Sequence, residues 1–179
     1  MSLQGKVAIV TGSGRGLGLA YAQELAAQGA AVIINDVDES VAQEAVALIQ
    51  AAGGRAAAVV APVGPTQTAQ KLVSTAVARF GRLDILVTNA GVLRDKSLLK
   101  MSDDDFDLVV NVHLRGTFTC VREAYAYFKA TRSPAGSSRS ARRPGSAATS
   151  GRPTTPPPRP ASWAWSAPGR WRCASPGCA

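Results

Sequence analysis

Residues 131–179 contain no aspartate, no glutamate, no lysine and no tyrosine. They show no apolar periodicity, yet hold nine of the eleven prolines, all three tryptophans and eight arginines. That composition excludes a regular strand–helix unit, because no face repeats that could be buried. Cysteine is scarce as well. Cys120, Cys173 and Cys178 form no CxxC and no metal-ligand spacing, so neither a disulfide scaffold nor a metal site is expected. No apolar run is long enough to span a bilayer, and no membrane partner is expected. The opening Met1-Ser2-Leu3-Gln4-Gly5-Lys6 runs straight into a strand-like segment without a leader-like pattern. The cytoplasm is therefore the expected compartment.

The net charge of +8 is unevenly distributed. Residues 1–130 carry twelve basic and twelve acidic side chains, so the whole excess lies in the tail. The chain thus has two compositional parts, with a border near Ala130. Residues 1–130 are long enough for one domain with a core. Residues 131–179 form a low-complexity tail rich in Arg, Pro, Ser and Ala, expected to be disordered. Its arginines come with no aromatic–basic platform and no recognition helix, so no nucleic-acid partner is expected.

The first part alternates strand and helix signals. Lys6 to Thr11 (KVAIVT) is a short β-branched apolar run, which predicts a buried strand. Gly16 to Ala30 follows with Leu17, Ala20, Tyr21 and Leu25 at helical spacing and Gly29 as a stop. Ala31 to Asn35 predicts a second strand, with Asp36 at its end. Ser40 to Ala52, Ala56 to Val60, Thr66 to Phe80 and Leu83 to Val87 continue as helix, strand, helix and strand. Ser102 caps a last long helix to about Lys129, with Asp103, Asp104 and Asp105 in its first turn. The pattern predicts an α/β fold, a Rossmann-type doubly wound parallel sheet cut short after about four strands.

The run Thr11-Gly12-Ser13-Gly14-Arg15-Gly16-Leu17-Gly18 joins the first strand to the first helix. A pyrophosphate binds against the free N–H groups of such a helix, and a Cβ in its path would hold it off. Gly12, Gly16 and Gly18 are expected to supply that clearance. Asp36 stands where an acid accepts hydrogen bonds from the ribose hydroxyls of NAD and repels a 2′-phosphate. Arg15 argues the other way, since a guanidinium there could pair with that phosphate. Asp36 carries more weight, so NAD is expected over NADP.

Thr11-Gly12-x-x-x-Gly16-x-Gly18, Thr88-Asn89-Ala90-Gly91 after the fourth strand, and Asn111 in Asn111-Val112-His113-Leu114-Arg115-Gly116 occur in that order. On these motifs residues 3–130 resemble the short-chain dehydrogenase/reductase family. The resemblance implies hydride transfer between a nicotinamide cofactor and a secondary alcohol or ketone. It implies that Asn89 braces the sheet beside the cofactor, that Ala90 and Gly91 line the nicotinamide ribose, and that Asn111 helps hold a water in a proton relay. It also implies a homo-oligomer, in which the last helix packs against its copy. The resemblance also places Val63 at the end of the third strand, where the family contacts the cofactor's adenine. Pro62 stands before it in place of the family's usual acid. The stretches Leu93-Arg94-Asp95-Lys96-Ser97 and Asn111 to Phe118 look most like members acting on 3-hydroxyacyl or 3-ketoacyl thioesters or on hydroxysteroids.

The family's chemistry uses a serine, a tyrosine and a lysine four residues after the tyrosine, with the lysine's charge lowering the phenol's pKa. Tyr125 and Lys129 have that spacing but lie on the same predicted helix as Asn111, before any fifth strand. Two residues one turn apart often share it, so the pair is read as structural. After Lys129 there is no tyrosine and no lysine. The tail could be a natural basic extension, a linker, or the product of a one-base slip in reading frame. The genetic code favours the slip. Read one base early, Thr155 permits a tyrosine codon, Pro156-Pro157-Pro158 three alanines, Arg159 a lysine and Arg142 a serine at the family's distance upstream. Ala164, after Trp163, is then forced to glycine. Without the missing half, the fourth strand is expected to be an open edge and the last helix to expose an apolar face, giving an aggregation-prone chain.

Overall fold

The computed structural model describes residues 2–132, and residues 163–166 and 170–173 as backbone. Two compact units are present, residues 1–137 and 138–179. The first contains β1 (Val7–Thr11), α1 (Gly16–Ala27), β2 (Ala31–Asp36), α2 (Glu39–Ala51), β3 (Arg55–Val60), α3 (Thr66–Phe80), β4 (Ile85–Val87), α4 (Asp103–Val110) and α5 (Gly116–Arg132). All four strands are parallel, in the order β3-β2-β1-β4. The expected α/β Rossmann-type sheet is therefore present. The chain leaves β1 first toward β2 and β3, then returns to place β4 on the other side. That reversal opens a crevice beyond the carboxyl ends of β1 and β4, where ligands bind in such sheets.

Strand residues alternate between the two faces, as the two-residue period requires. Val7, Ile9, Ala31 and Ile33 pack with Leu72 and Ala76 of α3 and with Cys120 and Ala124 of α5. Val10, Val32 and Ile34 pack with Ala22 and Ala26 of α1 and Ala45, Val46 and Ile49 of α2. Both faces of β1 and β2 are covered, which explains their uninterrupted apolar runs.

Several elements differ from expectation. β4 is three residues long rather than five, and all three are half-buried, whereas β1 is buried throughout. Among the described residues β4 pairs only with β1, so its outer side is the open edge expected. The long last helix is interrupted: a π-helical turn, Asn111–Arg115, separates α4 from α5, and the Gly116 N–H donates to the Asn111 carbonyl. The wider turn lets Gly116 come up to Val63, whose Cγ2 would lie 2.9 Å from any Cβ at that position. Such turns are frequent at functional sites. Ser102 caps α4 as expected, in a reciprocal pair with Asp105. Leu114, Phe118, Val121 and Tyr125 form one exposed stripe at spacings of a helical face.

In the second unit, β5 (Trp163–Ser166) and β6 (Arg170–Cys173) pair antiparallel, an element the sequence reading does not assign. This corrects the expectation that residues 131–179 have no apolar periodicity: Trp163 and Trp165, then Trp171 and Cys173, alternate with Ala164 and Arg172 on either side of Pro168-Gly169. The rest of the tail lies outside the described residues, and with it the expectation of disorder. No helix among the described residues is long and apolar enough to cross a membrane.

Candidate functional site

The loops after β1 and β4 are tied together by the first motif residue. The Thr11 hydroxyl accepts from the backbone N–H groups of Asn89 and Ala90, each at 3.1 Å. The Asn89 side chain donates to the carbonyls of Thr11 (3.1 Å) and Gly12 (2.9 Å). Asn89 thus braces the two strands. Ser13 is fully buried. Its hydroxyl donates to the Val10 carbonyl at 2.7 Å and accepts from the Asn35 N–H at 3.1 Å. Thr11 and Ser13 therefore hold the loop's shape, with their polar atoms turned to the protein's own backbone.

The glycines divide into two kinds by what a Cβ at each would meet. A Cβ on Gly12 would lie 2.7 Å from Ala90 Cα, and one on Gly18 would lie 2.2 Å from the Gly12 carbonyl and 2.5 Å from Asn89 Nδ2. These two allow backbone segments to touch. A Cβ on Gly14 would press on the Asp36 carboxylate at 2.7 Å. Only at Gly16 does the missing Cβ face open space, on a backbone with φ +59° that favours glycine. Gly16 opens α1, whose N-terminus has no side-chain cap and no acid in its first turn. α2 and α4 are capped by Asp38 and Ser102, whereas α3, like α1, has no side-chain cap. An uncapped helix start beside an open glycine fits an anionic group. Leu17 is exposed beside it.

Asp36, at the end of β2, is held by backbone donors. One carboxylate oxygen accepts from Gly14 N–H at 3.1 Å; the other accepts from Val37 N–H at 2.8 Å and Asp38 N–H at 3.3 Å. The next acid, Asp38, is kept below the usual carboxylate range, above all by the Ser40 hydroxyl and then the Val41 N–H. The positive charge of Arg15 contributes a smaller part of the same shift.

A groove of ≈ 530 Å³ runs past these residues. Gly12, Arg15 and Asp36 line it, with Pro62 and Val63 from the β3 exit and Asn89, Ala90 and Gly91 from the β4 exit. Val92, Arg94, Leu108 and Val112 extend its wall. Gly12, Asp36 and Asn89, far apart in sequence, meet here, whereas Gly16, Leu17 and Gly18 do not line the groove. Asn111 does not join them: its side chain is exposed and has no hydrogen-bond partner among the described residues. The π-helical turn presents Val112 to the groove instead. Tyr125 and Lys129 are also exposed and outside it.

Two polar residues escape the sequence reading. Asn35 is buried, and its side chain donates to the carbonyls of Val59 (3.0 Å) and Ala61 (2.9 Å), fixing the β3 exit to β2. The signal was an amide closing an otherwise apolar strand. His113 contacts Val92 across the β4 exit. Among the described residues no group of three or more His, Cys, Asp or Glu could hold a metal ion.

The comparisons agree with this geometry. The family model "short chain dehydrogenase" matches residues 6–137, seven residues beyond the compositional border. Peroxisomal multifunctional enzyme type 2 of Mus musculus is 43% identical over 138 residues, covering 72% of the chain and 18% of that protein. Hydroxyacyl-CoA dehydrogenase ChsB1 of Mycobacterium tuberculosis is 46% identical over 132 residues, covering 71% of the chain and 41% of that protein. A crystal structure of a short chain dehydrogenase from Mycobacterium avium superposes with TM-score 0.70 at 41% identity, over 73% of the chain and 48% of that structure. The chain spans less than half the length of each of these relatives. It belongs to the short-chain dehydrogenase family, a family of NAD(P)-dependent oxidoreductases acting on small molecules.

Proposed function

We propose that the groove binds NAD and that this is the cofactor half of an oxidoreductase acting on a secondary alcohol or ketone, in the first place a 3-hydroxyacyl or 3-ketoacyl thioester. The observation that carries the choice of NAD is the fixed carboxylate of Asp36. Three N–H groups orient it toward the groove before any ligand arrives, so a ribose diol meets two oriented acceptors. A 2′-phosphate beside that diol would meet the negative charge of Asp36, with Arg15 also lining the groove to offset it in part. The thioester assignment is supported by the hydroxyacyl-CoA dehydrogenase among the relatives. Titrating the purified chain with NAD and NADP tests the cofactor choice. Tighter binding of NADP would overturn it.

The chain lacks the tyrosine and lysine that would use the cofactor. We propose that they are encoded one base out of frame. The family match ends at residue 137, seven residues past the compositional border. Sequencing the gene from about codon 128 to codon 140 tests this. A frame-restored chain should oxidise NADH with a 3-ketoacyl thioester; if no one-base change restores the motif, the proposal fails. The second reading is a dinucleotide-binding protein without catalysis, favoured by the same missing residues. Turnover by the present chain would exclude it.

A further inference from the structure

His113 is the only histidine in the sequence. It lies in the π-helical turn, and its Nε2 is 3.1 Å from the backbone nitrogen of Val92 and 3.0 Å from the carbonyl oxygen of the same residue. The ring reaches that position only because residue 91 is glycine: a Cβ there would stand 2.9 Å from His113 Cε1 and 3.4 Å from Nε2. The Val92 N–H has no other hydrogen-bond partner among the described residues. Gly91 and Val92 form the wall of the groove beyond Ala90.

The wall is tethered at both flanks. Upstream, Thr11 holds the N–H groups of Asn89 and Ala90. Downstream, Asp105 holds Lys96 at 2.6 Å and Arg94 at 3.6 Å. Between these anchors the side-chain hydrogen bond from His113 is the tether to the body of the domain. One ring nitrogen faces both a donor and an acceptor, so either neutral tautomer can serve. With the proton on Nδ1, Nε2 accepts from Val92 N–H; with the proton on Nε2, the ring donates to the Val92 carbonyl.

We propose that His113 is a positioning residue that preforms the Gly91–Val92 wall of the dinucleotide groove. It acts through the backbone, not by touching the cofactor. The inference rests on the cofactor reading above, but its first test does not need a cofactor.

That test is site-resolved amide hydrogen exchange on the unliganded chain. In His113→Phe, which keeps the ring's bulk, Val92 N–H exchange should accelerate about five- to tenfold, the equivalent of one lost hydrogen bond. In His113→Gln, whose amide offers both a donor and an acceptor at similar reach, protection should return. Gly91→Ala, which pushes the ring off from the other side, should repeat the His113→Phe result if that variant does not fold. NAD affinity should follow the same order, falling about five- to tenfold in His113→Phe and recovering in His113→Gln. Unchanged Val92 exchange in both His113→Phe and Gly91→Ala overturns the proposal. So does full NAD affinity in a folded His113→Phe chain, or a His113→Gln chain that behaves like His113→Phe. If the unmodified chain binds neither dinucleotide, the cofactor reading fails, and the exchange data alone decide the tether.

Discussion

Gly18→Ala separates loop packing from ligand clearance. Gly18 lies inside α1, so its φ is tolerated by any residue, and alanine would gain about 0.5–1 kcal/mol from helix propensity. Contacts decide the outcome. The new Cβ would sit 2.2 Å from the Gly12 carbonyl, 2.5 Å from Asn89 Nδ2 and 2.8 Å from Ser13 Cα. Two of the three are backbone atoms, and the third belongs to a side chain held by two hydrogen bonds. Relief requires α1 to move away or Asn89 to let go. Overpacking of this kind costs about 1–3 kcal/mol, and each Asn89 hydrogen bond lost adds about 1 kcal/mol. The net destabilisation expected is about 2–4 kcal/mol, which in urea lowers the unfolding midpoint by about 1–2 M. Gly16→Ala is the control. Its Cβ meets nothing within 4 Å, so the cost is that of a left-handed alanine, about 1–2 kcal/mol. Gly16→Ala should therefore stay the more stable of the two yet lose NAD affinity, because its methyl stands at the open helix start. If Gly18→Ala unfolds at the unmodified midpoint, or Gly16→Ala binds NAD normally, the division of the glycines is wrong.

Asp36→Ala removes a carboxylate that would accept charge-assisted bonds from the ribose, each worth about 1.5–3 kcal/mol. NAD affinity should fall at least tenfold while NADP affinity falls less or rises, as read by isothermal titration. Asp105 is held at about 2, first by Lys96 and then by Ser102. Its folded value lies below the ordinary 3.8, so its contribution is present above 3.8 and is lost as pH falls through about 2. Acid unfolding followed by fluorescence should show that loss in the unmodified chain, and Asp105→Asn should lack it. Replacing Leu114 and Phe118 with glutamate should reduce self-association in sedimentation without lowering the melting temperature, since both side chains are exposed.

How much was legible follows from where each signal resides. β1 and β2 are continuous apolar runs because both faces are covered, and α3 shows a periodic face from Thr66 to Phe80, so local sequence sufficed. The motif spacings brought Gly12, Asp36 and Asn89 to one groove. What escaped depends on contacts between distant residues. That Thr11 and Ser13 turn inward is set by Asn89, Ala90, Val10 and Asn35. That Gly18 clears Asn89 is set across seventy-one positions. The π-helical turn adds one residue to a helical repeat, and no apolar pattern marked it in Asn111-Val112-His113-Leu114-Arg115. It also brings His113 to the Val92 backbone, while Asn111 stays exposed. β4 is shorter than the expected Leu83–Val87 because its register with β1 begins only at Ala8 opposite Ile85.

The position of the tethers bears on what the chain can do. Thr11 to Asn89, Ser13 to Asn35, Gly14 to Asp36, Asn35 to Ala61 and His113 to Val92 all close within residues 11–113. None draws on the part where the family's tyrosine and lysine belong. The groove's shape is therefore a property of the first unit's own packing, whereas hydride transfer needs an acid/base pair supplied from beyond α5. Binding and turnover are separable on this architecture. The open side of β4 and the exposed stripe on α5 lie on the same unit as the groove, so a change there weakens the scaffold before it alters the site. Cofactor affinity should then track the stability of residues 2–132 and be insensitive to removal of the tail.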